Sequence, residues 1–244
     1  MVDVGRPATG LRLAERALHA FDRAARSGES DAGAAAHNGS DTLRARILLV
    51  TADALVELGQ IAEATKVLEQ AAQGGPAVQP LVQASRGVLL GRTGRMAEAK
   101  RELDAAIATY SEDHKPSGRL LRMLHWRGLL HLMEGRPELA QIDCEQARLL
   151  GQALGLDASV TIATHNIGLA KFYAGDLPGA LAEMTKAEEV APEVRVGFRA
   201  LDRARVLLAA GLSAEAREFA DKAQRAFANE RSRVDLAEAL LVQA

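Results

Sequence analysis

Aromatic residues are scarce in this sequence, with one Trp, two Tyr and five Phe among 244 residues. The apolar content is carried by Ala and Leu instead, a composition that suits closely packed helices. Cysteine is rarer still. Cys144 stands alone, which excludes an internal disulfide framework and fits a reducing cytosol. Neither sign of charge dominates: 30 basic and 32 acidic residues leave a formal charge of −2, so the electrostatic footprint expected of a nucleic-acid or anionic-lipid binder is absent. The first ten residues lack the basic segment and apolar core of a signal peptide, and no apolar run is long enough to span a bilayer. These absences together predict a cytoplasmic, soluble chain. Of the basic residues 24 are Arg and six are Lys, which with the abundant Ala hints at a GC-rich bacterial genome.

Catalytic signatures are missing as well. The sequence contains no H-E-x-x-H, no G-x-S-x-G and no carboxylate pair set apart from ordinary charged faces. Gly91-Arg92-Thr93-Gly94 lacks the Gly-Lys-Ser/Thr end of a phosphate loop and has no strand before it. His125 and His131 are six residues apart, not the three or four that would present both to a metal from one helix face. The chain is therefore expected to be no enzyme, with no cofactor and no metal.

What is present is a repeat. Gly135-Arg136-Pro137-Glu138-Leu139-Ala140 has counterparts beginning at Gly59, Gly94, Gly175 and Gly211, each a Gly that ends one apolar helix, a short polar turn, and an Ala that opens the next. The turn glycines are separated by 35, 41, 40 and 36 residues, the range in which one helix-turn-helix unit stacks on the next. The periodicity predicts helix pairs over 42–58 with 60–73, 80–92 with 97–110, 119–134 with 137–154, 158–174 with 177–190, and 196–210 with 213–228. Around them, residues 1–27 read as an N-terminal capping helix or half-repeat, and 28–40, small and Gly-rich, as a flexible linker. Residues 41–230 read as five repeats, and 231–244 as a C-terminal capping helix or the start of a further repeat.

The second helix of each pair carries one stripe: Ala64, Leu68, Ala71; Ala99, Leu103, Ala106; Ala140, Cys144, Ala147; Ala180, Met184, Ala187; and Ala216, Ala220, Ala223. Spacings of four and three put each trio on one face, with small residues at the ends and the middle residue as the knob. The first helices answer with a small residue seven before the turn Gly, namely Ala52, Gly87, Gly128, Gly168 and Ala204. Cys144, in the middle of a stripe where other repeats have Leu or Met, reads as a structural thiol.

On these residues, with the closing Pro76 and Pro192, the chain resembles the tetratricopeptide repeat family over about residues 41–230. The resemblance implies an all-α, right-handed superhelix, an α-solenoid of about five helix pairs plus flanking helices. The family's aromatic near the start of the first helix is replaced by Leu48, Gln83, Leu124, Thr164 and Ala200. A narrower likeness lies in Leu201–Ala216 followed by Asp235-Leu236-Ala237-Glu238-Ala239, which is similar to the repeat region preceding a caspase-like CHAT peptidase domain in actinobacterial proteins. That likeness would make the chain the regulatory arm of a longer polypeptide.

The function implied is protein–protein interaction, with a peptide or partner helix on the concave face lined by the first helices. Projecting the repeat onto that face selects Arg122, His125, His165 and Arg205 to orient the ligand, and Leu129, Leu169 and Phe172 for apolar contact. The competing reading is that some of these residues pack the next repeat. Only Asn166 matches the polar pattern by which one subclass of the family captures C-terminal carboxylates, so a chaperone-tail binder is not expected. A structural array that associates with itself through the C-terminal helix is the alternative function.

Overall fold

The computed structural model describes residues 7–26, 34–112 and 116–230. Eleven helices and one 3-10 turn account for the regular structure, and no strand occurs among the described residues. In order they are α1 (Pro7–Arg26), α2 (Ala34–Glu57), α3 (Ile61–Ala71), α4 (Gln79–Arg92), α5 (Met96–Glu112), α6 (Gly118–Met133), α7 (Pro137–Ala153), α8 (Asp157–Tyr173), α9 (Leu177–Val190), α10 (Val196–Ala209) and α11 (Ser213–Glu230). The 3-10 turn, Pro76–Val78, begins at the closing Pro76, after α3 has ended. No described helix is long and apolar enough to cross a membrane.

The five turn glycines do what their spacing predicted. Gly59, Gly94, Gly135, Gly175 and Gly211 all take φ between 68° and 87°, the left-handed conformation that glycine adopts without steric cost. Each turn is closed by a matched pair of bonds: in the third, Gly135 N–H donates to the Leu132 carbonyl at 3.0 Å and Arg136 N–H to the His131 carbonyl at 2.8 Å. This Schellman pattern satisfies carbonyls that a helix end leaves open.

One boundary differs from the sequence reading. Residues 34–40, assigned above to a flexible linker, are the first two turns of α2. The three alanines Ala34–Ala36 supply the strongest intrinsic helix preference available, and it outweighs Gly39 within the same segment. Residues 28–33 lie outside the described residues, as do the expected C-terminal helix 231–244 and the self-association assigned to it.

The chain divides into two compact units, Met1–Lys115 and Pro116–Ala244. The first holds α1 to α5. Its core gathers Ala45, Leu48, Leu49 and Ala52 of α2 with Leu68 and Ala71 of α3 and Val82 of α4, and Leu18 of α1 packs against this cluster. The second holds α6 to α11. Its α6 starts at Ser117, whose side chain accepts from Arg119 N–H at 3.2 Å, an N-cap that marks the unit's first turn.

The stripes are buried as the small-residue pattern requires. All eleven alanines of the five stripes are at most 3% exposed, and Leu103 and Cys144 are fully buried between them. The facing glycines explain why. A methyl group added at Gly128 would lie 2.9 Å from Cys144 Sγ, and one added at Gly168 would lie 3.0 Å from the Ala180 carbonyl oxygen. Helix pairs thus meet at backbone-to-knob distance, and burial of each large knob contributes roughly 1.5–3 kcal/mol.

A second layer of order accompanies the stripe. The residue before the small position of the first helix faces the residue before the knob of the second: Arg86 with Glu102 at 3.5 Å, Arg127 with Asp143 at 2.6 Å, and Arg203 over the Phe219 ring at 4.8 Å. The fourth pair has Ile167 there, and Glu183 instead takes Lys186 at 2.8 Å and Lys171 and Arg148 at 3.8 Å. Arg199, buried in α10, donates to the carbonyls of Ala187 at 3.1 Å and Pro192 at 2.6 Å and so closes the C-terminal end of α9.

Candidate partner-binding face

Within the second unit the first helices of successive pairs are α6, α8 and α10. Gly128, Gly168 and Ala204 point each of them at its own second helix, which fixes the rotation of the rest. The residues two and three positions earlier then meet across neighbouring first helices. Asn166 of α8 faces His125 of α6, with Asn166 Nδ2 3.5 Å from His125 Nε2. One repeat later, His165 Nε2 of α8 is 3.0 Å from Asp202 Oδ2 of α10. Arg205 completes the line by donating from Nη1 to Asp202 Oδ1 at 3.2 Å.

The electrostatics along this line are positive at its His125 end. Burial, then the charges of Arg195, Arg122 and His165, push His125 down to about 3 from its ordinary 6.5. The ring is therefore neutral at neutral pH. With the Asn166 amide donating, its Nε2 is the acceptor. Arg195 reaches this region from the start of α10, where it is the N-cap residue at φ 48°, the one non-glycine residue with positive φ among the described residues. Its guanidinium lies 4.8 Å from the centroid of the Phe198 ring. A left-handed Arg costs of order 1 kcal/mol, and such strain clusters where a side chain must be aimed.

A pH dependence follows. Between 6.5 and about 3 the unfolded chain takes up a proton at His125 that the folded chain does not, so this residue's contribution is fully present above that window and is lost as pH falls through it. The expected result is that His125→Gln flattens the fall in urea midpoint between about pH 7 and about pH 4.5 relative to the unsubstituted protein. Parallel falls in the two proteins would contradict the assignment.

The seven residues selected from the sequence divide in two. His125, His165 and Arg205 lie on the polar line, with Arg122 exposed one turn before His125 and close enough to act on it. Leu129 is half-buried on α6. Leu169 and Phe172 are half-buried and pack against Ala180 and Met184 of α9 and Val206 of α10, so they belong in large part to the packing of their own repeat and of the next helix on it. Leu49, Val88 and Leu201 of other first helices are buried in the cores of their units.

Three members were missed. Asn166 and Asp202 share the position two before the small residue, a signal that could have found them had the facing of successive first helices been read from the repeat. Arg195 precedes its helix, in the turn after Pro192, where no periodicity places a side chain.

Cys144 and His131, the other two residues weighed for chemistry, are internal. Cys144 is fully buried and its thiol is pushed up to about 12, first by burial and then by Asp143 and Glu145. His131 is buried with Nε2 3.8 Å from Asp143 Oδ2. Among the described residues no group of three or more His, Cys, Asp or Glu is placed to hold a metal ion.

No family model and no curated protein matches this sequence. Solved structures do. A Rap protein complexed with competence and sporulation factor is similar with a TM-score of 0.71 at 11% identity, covering 96% of this chain and 80% of that one. The Rap conjugation gene regulator of plasmid pLS20, in complex with a Phr peptide, gives 0.69 at 17% identity over 86% of this chain and 62% of the regulator, so this chain spans less than two thirds of its length. PilW, a widely conserved type IV pilus biogenesis factor, gives 0.59 at 20% identity over 96% of this chain and 98% of that one. These are tetratricopeptide-type repeat proteins, and at such identities the likeness defines the fold alone. This chain has the all-α tetratricopeptide-repeat fold.

Proposed function

We propose that this chain is a non-catalytic partner-binding module, and that its ligand is a peptide or partner helix carrying an acidic side chain laid across α6, α8 and α10. The observation that carries this reading is the convergence of two arginines on the half-buried His125, Arg122 from one turn earlier on α6 and Arg195 from the start of α10. The complement of such a pair is a carboxylate. His165 and Arg205, fixed through Asp202, supply a rigid polar edge beside it. Two of the structurally similar proteins, the Rap proteins, were solved with a peptide or a factor bound, which supports a peptide-sized partner here.

The test is selection from a random displayed peptide library, followed by titration of the recovered peptides. Recovered sequences are expected to be enriched in Asp and Glu, to weaken as salt is raised, and to lose at least about tenfold in affinity, about 1.4 kcal/mol, on the Arg122→Ala, Arg195→Ala variant. Recovery of no peptide, or equal retention by the variant, would contradict the proposal. The finer reading, a regulatory arm of a CHAT-peptidase protein working in a bacterial cytoplasm, rests on Leu201–Ala216 and on the single cysteine. The genomic reading frame beyond Ala244 tests it: a caspase-like domain downstream supports it, and a stop codon removes it.

A further inference from the structure

The second helices of the five repeats should be interchangeable on their outward faces, and one is not. On α7 the outward positions are Leu139, Ile142 and Leu149, exposed by 43%, 50% and 60%. At the same three positions the other repeats carry Glu63, Lys66 and Gln73; Glu98, Arg101 and Ala108; Gly179, Ala182 and Glu189; and Glu215, Glu218 and Arg225. The other four repeats therefore carry charged, polar or small residues where α7 turns large aliphatic ones outward, although its inward stripe of Ala140, Cys144 and Ala147 is as buried as the others.

The pattern is ordered. Leu139, Ile142, Gln146, Leu149 and Ala153 are all exposed and fall at alternating spacings of three and four. That is the a/d seam of two heptads, with a polar residue at its central a position. A scattered exposed Leu needs no explanation, but a continuous heptad seam on a helix already held in place is a preformed half of a coiled coil. The acidic residues Glu138 and Glu145 border the seam, each one residue before an a position, where coiled coils place the charges that choose the partner. The neighbouring cations have acids of their own: Arg136 lies 3.5 Å from Glu134, and Arg148 3.8 Å from Glu183. The opposite border belongs to the hairpin's interior, where Asp143 is buried on Arg127.

We infer that α7 is a second docking surface, and that its occupant is an amphipathic helix of another protein with an apolar heptad seam and Lys or Arg along its flank. A second copy of this chain fits less well. A two-fold antiparallel pairing of α7 with itself would set the Glu138 and Glu145 border against the same border, like charge against like. A basic helix instead meets complementary charge at Glu138 and Glu145, over the first half of a seam that runs about 21 Å from Leu139 to Ala153 at the α-helical rise. Only that helix loses conformational freedom on binding, because α7 is already ordered by α6 and α8.

The experiment uses the full chain and a synthetic 21-residue helix of three heptads with Leu at a and d and Lys at e and g, whose Lys flanks keep it from pairing with itself. A twin peptide carries Glu at e and g. The Lys peptide is expected to bind at micromolar Kd, the Glu peptide at least about tenfold more weakly. Leu139→Gln, Ile142→Gln, Leu149→Gln should weaken the Lys peptide at least tenfold while leaving the thermal melt in place, since all three positions are exposed. Glu138→Lys, Glu145→Lys keeps the apolar seam and should reverse the preference between the twins. The inference is overturned if the Lys peptide fails to bind below about millimolar concentration, or if the triple variant binds it unchanged. It is also overturned if the twins bind equally. Sedimentation showing a dimer that the triple variant abolishes would assign the seam to a second copy and overturn it too.

Discussion

Replacing Arg127 with Met is expected to destabilise the second unit by roughly 3–5 kcal/mol, the cost of leaving a buried charge without its partner. Arg127 grips Asp143 with two parallel bonds, Nε to Oδ2 at 2.8 Å and Nη2 to Oδ1 at 2.6 Å. The carboxylate side chain is 3% exposed and the guanidinium side chain 22%, so the two partners are not equivalent. Removing Asp143 leaves a cation that can still reach water. Removing Arg127 strands an anion that cannot, with only His131 Nε2 nearby at 3.8 Å. Asp143→Asn should therefore cost clearly less than Arg127→Met. At the same position of the second repeat, Arg86 and Glu102 are 44% and 25% exposed at 3.5 Å, and Arg86→Met should cost less than about 1 kcal/mol. Urea denaturation measures all three variants. A deficit below about 1 kcal/mol for Arg127→Met would show that the clasp contributes no more than a surface pair.

The second large effect is expected at Phe227, where substitution by Ala should cost roughly 3–5 kcal/mol. Its ring is fully buried among Ala200, Leu201 and Ala223 and stands edge-on to Phe198 with centroids 5.1 Å apart. It also fills the space that Gly197 leaves open: a methyl at that glycine would come within 2.6 Å of the ring. Phe227 is the largest fully buried side chain among the described residues, so this ring carries a large share of the apolar burial in the α10–α11 hairpin. Phe198→Ala removes a ring of the same size that is 36% exposed, and should cost markedly less. Thermal melts of the two variants decide it. Equal losses would mean that burial against Gly197 is not what holds this hairpin.

The repeat was legible because its signals are local. Each turn needs a residue that accepts positive φ, and Gly59, Gly94, Gly135, Gly175 and Gly211 are the residues that took it. Each helix pair needs a small residue facing a knob, and Gly87, Gly128 and Gly168 were found opposite Leu103, Cys144 and Met184. What was not legible depends on how successive pairs face one another. Periodicity puts His125, His165 and Arg205 on one side of their helices, but it does not say that Asn166 meets His125 or that Asp202 stands between His165 and Arg205. Nor does it separate a face that receives a ligand from one that receives the next helix, which is why Phe172 and Leu169 were selected and then found packed against Met184 and Val206. The start of α2 at Ala34 was hidden for another reason: Gly33 and Gly39 bracket an alanine run whose helix preference the small, polar composition conceals.

The central claim is that helices pair here because side chains of complementary size face each other across each hairpin, and a double-mutant cycle at Gly128 and Cys144 tests it most directly. Gly128→Ala places a methyl 2.9 Å from Cys144 Sγ, and Cys144→Ala removes that sulfur. Measured by urea denaturation, the double variant is predicted to be more stable than the sum of the two single losses by about 1 kcal/mol. Strict additivity would show that the two residues do not share the space, and would contradict the account.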